Sequence, residues 1–402
     1  MRVTSNYAAH LNAHYQSNPG LDCQAYSDQY SALMTTRFGW SDVWTRHLGP
    51  FGYECWEPVA NARAMQFQWA KEHGFRPPED DWQRSIIEAQ AIEFKPDVIF
   101  AHDYGFCDAA FCNRLREQVP SVRLVIGYCA APFDDIRQFS GMDVIISCLP
   151  RLAEEFRNHG FQAEHIHHAF DETVLGLLRS RRSDPHSFTF VGSIIKRNSY
   201  HQSRELLLRH LVRHTPITLL VDLPKPRFRQ KMGYFLESSL CRFLPDRILG
   251  ESKSSLIARV RMSKLALRAF LAPVVDPSIY ERCQAGAFGL DMYSALRNSN
   301  VTLNNHIDMA GNQACNMRLF EATGVGTCLL TDAKSNLADL FDPDHEVVAY
   351  SSPEEAAEKA LYLLEHDRVR REIAEAGQRR TLRDHSFRDR ARRFDDLVRR
   401  YV

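Results

Sequence analysis

The sequence has no net charge, because 50 Lys and Arg residues balance 50 Asp and Glu residues over 402 positions. A chain without an overall positive field does not attract polyanions, so we expect no nucleic acid partner. Its hydrophobic fraction of 44% and charged fraction of 25% exclude an intrinsically disordered chain. The length is large for one hydrophobic core and predicts two or three domains.

Patterns typical of secreted, zinc-binding and membrane proteins are also missing. The ten cysteines include no C-x-x-C pair, which argues against a zinc knuckle or a disulfide framework and for reduced thiols. No apolar run is long enough to span a bilayer, and the first residues, MRVTSNYAAHLNAHYQ, lack the apolar core of a signal peptide. These absences predict a cytoplasmic protein.

The most informative stretch is residues 304–332, NNHIDMAGNQACNMRLFEATGVGTCLLTD, which predicts a strand end, an Asn- and Gly-rich loop, a short helix and another strand. Arg318 and Glu321 lie three residues apart and share a helix face. A carboxylate can accept two ribose hydroxyl hydrogen bonds, a guanidinium can bind a phosphate with two donors, and helix-start amides favour an anion. The alternative is an ordinary strand–helix unit with a surface salt bridge.

This stretch and its surroundings resemble a known family. The segments HIDMAG, NMRLFEATGVG and LLTD, followed by NLADLFDPDHEVVAYSSPEEAAEKALYLLEHD and IAEAGQRRTLRDHSF, resemble the C-terminal half of the spore-maturation-protein-B-like (CgeB-type) family 1 glycosyltransferases. FGWSDVWTRHL, the N-A-x-x-x-Q-x-x-W-A pattern of residues 61–70, KPDVIFAHD and FTFVGS resemble the same group. The resemblance implies an α/β protein of GT-B fold, in which two Rossmann-like domains face each other across a cleft, and sugar transfer from a nucleotide donor.

Domain boundaries follow from the alternation of short apolar strands with helices, which predicts parallel sheets. We place an acceptor-side Rossmann-like domain at residues 1–180 and a nucleotide-sugar-binding domain at residues 187–380, joined by a charged linker. The first strand, MRVT, is thin because it lacks the continuous apolar run of a buried parallel strand. Residues 381–402 form a helix that, by resemblance, returns to the first domain.

A basic helical insert is expected at about residues 223–270 of the second domain. From Lys225 to Arg268, eleven basic residues face three acidic ones, and aromatic residues are interleaved among them. Such a segment is either a solvated helical excursion packed on the second domain or a peripheral contact with an anionic membrane surface, at the inner membrane face.

The donor site is assigned mainly through the resemblance. Glu321 matches the ribose-binding acid, and Arg318 with the backbone of residues 314–317 would bind the diphosphate. Retaining relatives often carry a first glutamate eight positions earlier, where this chain has Gln313, whose amide can still bind a sugar hydroxyl. Further donor-side candidates at strand ends, in the loop and after FTFVGS are Asn304, His306, Asn316, Met317, Gly192, Ser193, Arg197 and Arg204.

Candidates in the opposing domain follow the strand at residues 97–101, since ligands bind beyond the carboxyl ends of parallel strands. His102 or Asp103 would contact the donor sugar, or act as the base on the acceptor hydroxyl if the reaction inverts configuration. The alternative for His102 is a strand-end histidine that is hydrogen-bonded to backbone.

Two metal-like patterns are assigned to structure and not to a site. Asp342 and Asp344 flank a proline in a D-x-D pattern, which can indicate a metal site. They directly precede a strand, however, where Asp and Pro commonly form turns. The histidines at residues 165–168 lack a nearby Cys or carboxylate partner. We therefore expect neither a metal nor another cofactor beyond the nucleotide sugar.

The sequence thus predicts a metal-independent, hexosyltransferase-like enzyme. It would move a sugar from a nucleoside diphosphate donor to a glycan, lipid-linked or protein acceptor, as in polysaccharide biosynthesis. Resemblance to the wider clan slightly favours retention of configuration. The alternatives are a GT-B epimerase, a phosphorylase, and a non-catalytic binding or assembly protein on a degenerate GT-B scaffold.

Overall fold

The computed structural model describes residues 1–178, 186–195, 201–223 and 275–402. The described strands form two entirely parallel sheets, one in each half of the chain. The first sheet contains β1 (Arg2–Val3), β2 (Val98–Ala101), β3 (Leu124–Tyr128), β4 (Val144–Ser147) and β5 (Ala163–His165), in that order. The second contains β6 (His186–Val191), β7 (Ile217–Leu220), β8 (Cys283–Gln284), β9 (Ser299–Asn304), β10 (Cys328–Asp332) and β11 (Val348–Tyr350). Its order is β11-β10-β9-β6-β7-β8.

Helices connect these strands. Those described in the first half are α1 (Ala8–Ser17), α2 (Tyr26–Thr35), α3 (Val43–Leu48), α4 (Arg63–Glu72), α5 (Trp82–Phe94), α6 (Ala109–Gln118) and α7 (Pro150–Asn158). Those described in the second half are α8 (Gln202–His214), α9 (Pro277–Tyr280), α10 (Gly289–Arg297), α11 (Met317–Gly324), α12 (Leu337–Leu340), α13 (Pro353–Glu365), α14 (Asp367–Asp384) and α15 (Phe387–Tyr401).

Both faces of the first sheet are buried, which explains why its central strands β2, β3 and β4 read as continuous apolar runs. Alternate residues point to opposite faces, so Ile99 and Val125 enter one apolar cluster while Phe100 and Ile126 enter another. The second sheet is covered on both faces in the same way. Each sheet is therefore the middle layer of a three-layer α/β domain.

The edge of the first sheet is irregular, as the thin first strand predicts. β1 has only two residues and pairs with β2. Residues 52–59, whose pattern is also compatible with a strand, form a single bridge between Val59 and Thr4. Pro58 has no N–H to donate, so this segment cannot continue a regular ladder.

The helices match the sequence pattern closely, with one difference in length. The apolar and aromatic residues between Tyr26 and His47 predict two helices broken at Phe38 and Gly39, and α2 and α3 are separated there. Ser352 caps α13 by accepting a hydrogen bond from the Glu355 N–H at 3.1 Å. α14 runs to Asp384, six residues beyond Gln378, where the sequence pattern predicts its end. Thr381, which is fully buried and hydrogen-bonded to Thr323, holds this last part of α14 against α11.

The C-terminal helix α15 lies on the first domain. Its buried residues Phe387, Phe394 and Leu397 share an apolar cluster with Trp44 and Phe100. The two halves also touch where the N–H of Leu290 donates to the Thr36 carbonyl at 2.8 Å. The chain therefore crosses between the domains at its end as well as in its middle.

Two expected segments fall outside the described residues. The linker corresponds mostly to residues 179–185 and the basic insert mostly to residues 224–274, so both stay predictions. Among the helices that the structure describes, none is long and apolar enough to cross a membrane.

Candidate functional site

A pair of asparagines joins the end of β9 to the start of α11. Asn304 ends β9 and Asn316 is the residue before α11, and their side-chain amides exchange two hydrogen bonds of 2.7 and 3.2 Å. Asn316 consequently makes no side-chain hydrogen bond to the start of α11. The amides of the first turn are thus left without the usual cap, which is the arrangement that favours an anion.

Glu321 and Arg318 form the ion pair that their spacing predicts. Their carboxylate and guanidinium lie 2.8 Å apart on one face of α11, and only 5% of the Glu321 surface is exposed. The same guanidinium nitrogen contacts the Met292 sulfur of α10 at 2.9 Å, while the Arg318 Nε is buried without a partner. The pair is therefore pre-formed, and one donor of the guanidinium is still available to a ligand.

A second ionic cluster joins the ends of β9 and β10. The Asp332 carboxylate lies 2.7 Å from His306 Nδ1 and 3.0 Å from Lys334 Nζ, and it also accepts from the His306 N–H at 3.1 Å. Burial would raise the pKa of Asp332, but the contacts with His306 and Lys334 outweigh it and hold this pKa at about 2. The His306 Nε2, which is buried without a partner, is the free atom of this cluster.

Arg204 is a buried cation at the start of α8. Its guanidinium donates to the carbonyls of Ser193 at 2.9 Å and Asn305 at 2.6 Å, which ties the ends of β6 and β9 together. Burial lowers the pKa of Arg204 to about 10, although nearby carboxylates, Asp332 first, oppose this, so the side chain stays charged at neutral pH. Its Nε has no hydrogen-bond partner.

For the remaining candidates in the second domain, the structure shows packing or exposure and no ionic contact. A Cβ at Gly192 would come within 2.8 Å of the Phe190 ring, so packing already requires this glycine. Ser193 is exposed, and Met317 packs partly buried against the first-domain cluster. Arg197 lies outside the described residues.

The loop before α11 reaches the first domain. Gln313 Oε1 accepts a hydrogen bond from the N–H of Arg151, in the first turn of α7, at 3.2 Å. Ala314, which was expected among the diphosphate-binding amides, instead donates its N–H to the Asn336 side chain at 2.6 Å. The Ala314 N–H therefore contributes to the structure of the loop, and it is not free to bind a diphosphate.

On the opposing domain, His102 is enclosed by aromatic rings. Its imidazole stacks on Trp40 with centroids 4.3 Å apart, and its Nδ1 lies 3.0 Å from the Thr4 hydroxyl. Burial, reinforced by the positive charge of Arg2, holds the pKa of His102 well below its usual value, so the imidazole is neutral near pH 7. The partner of His102 Nδ1 is thus a side-chain hydroxyl, whereas the alternative considered from the sequence was a hydrogen bond to the backbone.

Asp103 has a different surrounding. Its Oδ1 accepts hydrogen bonds from the N–H groups of Gly105 at 3.1 Å and Phe106 at 3.2 Å. This is the arrangement of an Asx turn, in which the carboxylate shapes the loop after β2.

The predicted residues of the two domains are joined by a short series of contacts. The Tyr128 ring lies 4.9 Å from the His102 ring, and the Tyr128 hydroxyl is hydrogen-bonded to His168 Nε2 at 3.2 Å. Cys148 and Cys315, which lies two residues before α11, belong to one buried cluster, and Met317 packs against the cluster that contains Tyr128. His102 and the start of α11 are thus brought to one region between the carboxyl edges of the two sheets.

The sequence analysis missed several members of this region. Tyr128, Cys148 and Cys315 carried no recognisable motif, because aromatic and thiol residues at strand ends usually belong to a core. Asp332 was within the quoted segment LLTD without an assigned role, although a polar residue ending an apolar strand was a usable signal.

The D-x-D pattern of Asp342 and Asp344 lies in a turn. Asp344 has a positive φ of 65° and donates its N–H to the Val347 carbonyl, as in a turn. Among the described residues, the one metal-like group combines His47, Asp171 and Glu172. Arg46 already pairs with Asp171 at 2.8 Å, and this cation would repel a metal ion.

One well-formed cavity lies away from these residues. It has a volume of about 770 Å³ and is lined at the amino edge of the first sheet by Glu57, Asp97, Trp44 and the C-terminal helix. Ligands of parallel sheets bind at the opposite, carboxyl edge. We therefore place the site in the cleft and not in this cavity.

Comparisons with known proteins agree with this architecture. Residues 280–396, less than a third of the chain but including α11, match a family described as glycosyl transferase-like. A search of curated proteins finds no match. The assignment to glycosyltransferase-like proteins is thereby supported for the second domain, and the narrower CgeB-type group stays a prediction.

Solved structures resemble almost the whole chain. A glycosyltransferase from Rickettsia africae superimposes with a TM-score of 0.53 at 8% identity, covering 90% of this chain and 95% of that one. HepE from Anabaena, in complex with UDP and glucose, superimposes with a TM-score of 0.50 at 10% identity, covering 79% and 81%. With both sheets parallel and their carboxyl edges in contact, the fold is GT-B, as predicted.

Proposed function

We propose that this protein is a glycosyltransferase that transfers a hexose-like sugar from a nucleoside diphosphate donor to a glycan, glycolipid or protein acceptor. The observation that carries the proposal is the position of α11. The family match includes this helix, and its uncapped start lies at the carboxyl edge of the second sheet, facing the first domain. The HepE structure contains UDP and glucose, and we extend that donor class to this chain.

In this proposal, Glu321 accepts the ribose hydroxyls of the donor. Arg318 holds it in place through their 2.8 Å contact and offers its unpartnered Nε to the diphosphate. The start of α11 supplies further N–H donors to the same phosphate groups.

The negative charge that develops on the leaving diphosphate must be neutralised. We assign this to Arg204, Arg318 and the start of α11, and no metal ion is needed in such a scheme. Arg204 is suited to this because its pKa of about 10 keeps it charged while its burial places it in a low-dielectric setting.

His102 is the proposed first-domain contact. A neutral imidazole whose Nδ1 is engaged by Thr4 can use Nε2 to accept a proton or to bind a sugar hydroxyl. Asp103 would then support the loop beside it.

Retention of configuration, a cytoplasmic location and membrane contact through residues 225–268 remain parts of the proposal that rest on the sequence.

The first experiment is a thermal-shift panel of UDP, GDP, dTDP, ADP and CMP with their sugar conjugates. A ligand at 100 times its dissociation constant raises the free energy of unfolding by about 2.7 kcal/mol. We expect one nucleotide to stabilise the wild type and to stabilise Glu321→Gln much less, since the amide loses the charge and one acceptor for the ribose hydroxyls.

Glu375→Ala is the matched control, because Glu375 is an exposed helical glutamate at 69% exposure. It should respond to the nucleotide like the wild type. If no nucleotide stabilises any of the three proteins, the transferase proposal fails and the non-catalytic scaffold becomes the better explanation. Transfer or donor hydrolysis that disappears in Glu321→Gln would in turn exclude the scaffold.

A further inference from the structure

An exposed aromatic side chain stands at the carboxyl edge of the first sheet. Tyr7 follows the end of β1 by four residues, and 69% of its surface is exposed. No other bulky apolar side chain in the described part of the chain is as exposed. Packing gives this ring little stabilising role, since the hydrophobic gain follows the area removed from water. A ring left exposed at the edge where parallel sheets bind ligands is a candidate ligand contact.

The Tyr7 ring rests on a row of aromatic rings that reaches the second domain. It meets Phe38 edge-on, with centroids 5.5 Å apart and ring planes at 66°. Phe38 also stacks on His10 at 4.0 Å and meets Phe288 of the second domain at 5.7 Å. His10 is only 4% exposed, so the row is anchored in the protein. Tyr7 therefore lies where the two domains meet.

Hydrogen bonds fix the loop that carries Tyr7. The Asn6 N–H donates to Asn61 Oδ1 at 2.9 Å, and Asn61 Nδ2 donates back to the Asn6 carbonyl at 2.7 Å. Earlier in the same loop, the Thr4 carbonyl accepts from the Ala60 N–H at 2.8 Å. The ring is thus held in place before a ligand arrives. Binding does not have to order this loop, a step that would otherwise lower the affinity.

The same loop leads to His102. Thr4, whose hydroxyl lies 3.0 Å from His102 Nδ1, precedes Tyr7 by three residues. Three residues of chain span at most about 11 Å, so the Tyr7 backbone lies within that distance of the Thr4 backbone. Tyr7 is therefore close to His102 in the first domain, whereas the proposed donor contacts lie in the second.

An aromatic ring beside polar groups matches the chemistry of a sugar. One face of a sugar ring presents C–H groups, which pack on an aromatic ring, while its hydroxyl groups need hydrogen-bonding partners. The residues next to Tyr7 in the loop, Ser5 and Asn6, are polar and partly exposed. A lipid chain would instead require a larger continuous apolar surface.

We propose that Tyr7 is the stacking platform of an acceptor subsite and that the acceptor is a glycan. One sugar ring of the acceptor packs on Tyr7, and the glycan runs from there toward His102. This inference rests on the proposed glycosyltransferase function and narrows it, because it selects the glycan among the three acceptor classes. Tyr7 determines specificity and touches none of the reacting atoms.

The test is saturation-transfer difference NMR of the full chain, with and without UDP, on maltotriose, cellotriose, chitotriose and mannotriose. We expect at least one of these trisaccharides to bind the wild type through its C–H protons. Tyr7→Ala should bind it about tenfold more weakly, which is the size of one good aromatic contact. Tyr7→Phe should bind it like the wild type, because it keeps the ring.

Tyr362→Ala is the matched control. Tyr362 is 48% exposed, but it lies on α13 of the second domain, where its ring stacks on His366. This variant should bind the trisaccharide like the wild type. The proposal is wrong if no trisaccharide binds the wild type in either condition, or if Tyr7→Ala binds as tightly as the wild type. It is also wrong if farnesyl phosphate, added as a lipid probe, gives the Tyr7-dependent signal instead.

The nucleotide thermal-shift panel separates this result from the proposed function. Nucleotide should stabilise Tyr7→Ala as it stabilises the wild type, because the donor contacts lie in the second domain. Trisaccharide binding without any nucleotide response would refute the transferase and leave a glycan-binding protein. A nucleotide response without trisaccharide binding would refute only the glycan subsite.

Discussion

At the residue scale, buried histidines serve this protein as neutral hydrogen-bonding groups. His385, between α14 and α15, donates its Nε2–H to the Leu340 carbonyl at 2.9 Å, while its Nδ1 accepts from the Arg390 guanidinium at 3.3 Å. Burial is the main cause that lowers the pKa of His385 to about 4; the Leu340 contact opposes this, and the charge of Arg390 adds to the lowering. Protonation would place a second positive charge against Arg390.

This geometry predicts a pH-dependent stability. Between about pH 6.5 and pH 4, an unfolded histidine binds a proton that folded His385 does not, so stability falls as the pH falls through this window. Between pH 7.5 and 5.5, this one group should lower the free energy of unfolding by about 1 kcal/mol, which urea unfolding can measure.

His385→Gln keeps a donor for Leu340 but cannot be protonated. Between pH 7.5 and 5.5, the free energy of unfolding of this variant should fall by about 1 kcal/mol less than that of the wild type. This difference does not depend on how stable the variant is at pH 7.5. The control is His345→Gln, which should leave the pH dependence unchanged, because His345 is an exposed residue in the turn after Asp342. An identical pH dependence in wild type and His385→Gln would contradict this account.

The amide side chains of the donor loop show why single residues were hard to assign from sequence. Asn304, Gln313 and Asn316 all point to ligand binding by their chemistry. In the structure each also has a protein partner, on β9, α7 or α11. An amide can satisfy backbone and ligand alike, so residue type alone does not distinguish the two roles.

At the element scale, the C-terminal helix α15 completes the first domain. Phe394 is 4% exposed and lies between Trp44, at a centroid distance of 4.7 Å, and Phe100, at 5.3 Å. The polar side of the helix carries arginines such as Arg392, which is 64% exposed. One face of α15 thus joins α3 in covering this side of the first sheet.

Phe394→Ala should destabilise the protein by about 3 kcal/mol, because it removes a large buried ring and leaves a cavity. Arg392→Ala should change stability by less than about 0.5 kcal/mol, since its ion pair is exposed. Urea unfolding of both variants checks this. Equal stabilities would mean that α15 is dispensable to the first domain.

At the scale of the whole molecule, a close backbone contact sets how the two domains meet. Gly289 begins α10 with a positive φ of 54°, and the next N–H, that of Leu290, donates to Thr36 of the first domain. A Cβ at Gly289 would collide with the Thr36 carbonyl. This glycine therefore permits the contact between the domains.

Gly289→Ala should force the domains apart at this point and raise the radius of gyration measured by small-angle X-ray scattering. Gly74→Ala is the matched control, because Gly74 also has a positive φ, 65°, but a Cβ there would meet nothing within 4 Å. Both variants carry backbone strain of about 1 kcal/mol. Only the first should change the shape, and equal scattering from the two would refute the role of this contact.

The sequence by itself determined the GT-B fold, the parallel strands and the paired placement of Arg318 and Glu321. These depend on local periodicity, turn chemistry and a recognisable segment, all of which are written along the chain. The tertiary structure alone decided that Gln313 meets Arg151 of the first domain, that Asp332 pairs with His306, and that residues 52–59 form a single bridge. Such contacts join residues far apart in sequence, and their energies depend on burial and on neighbours that local patterns do not specify.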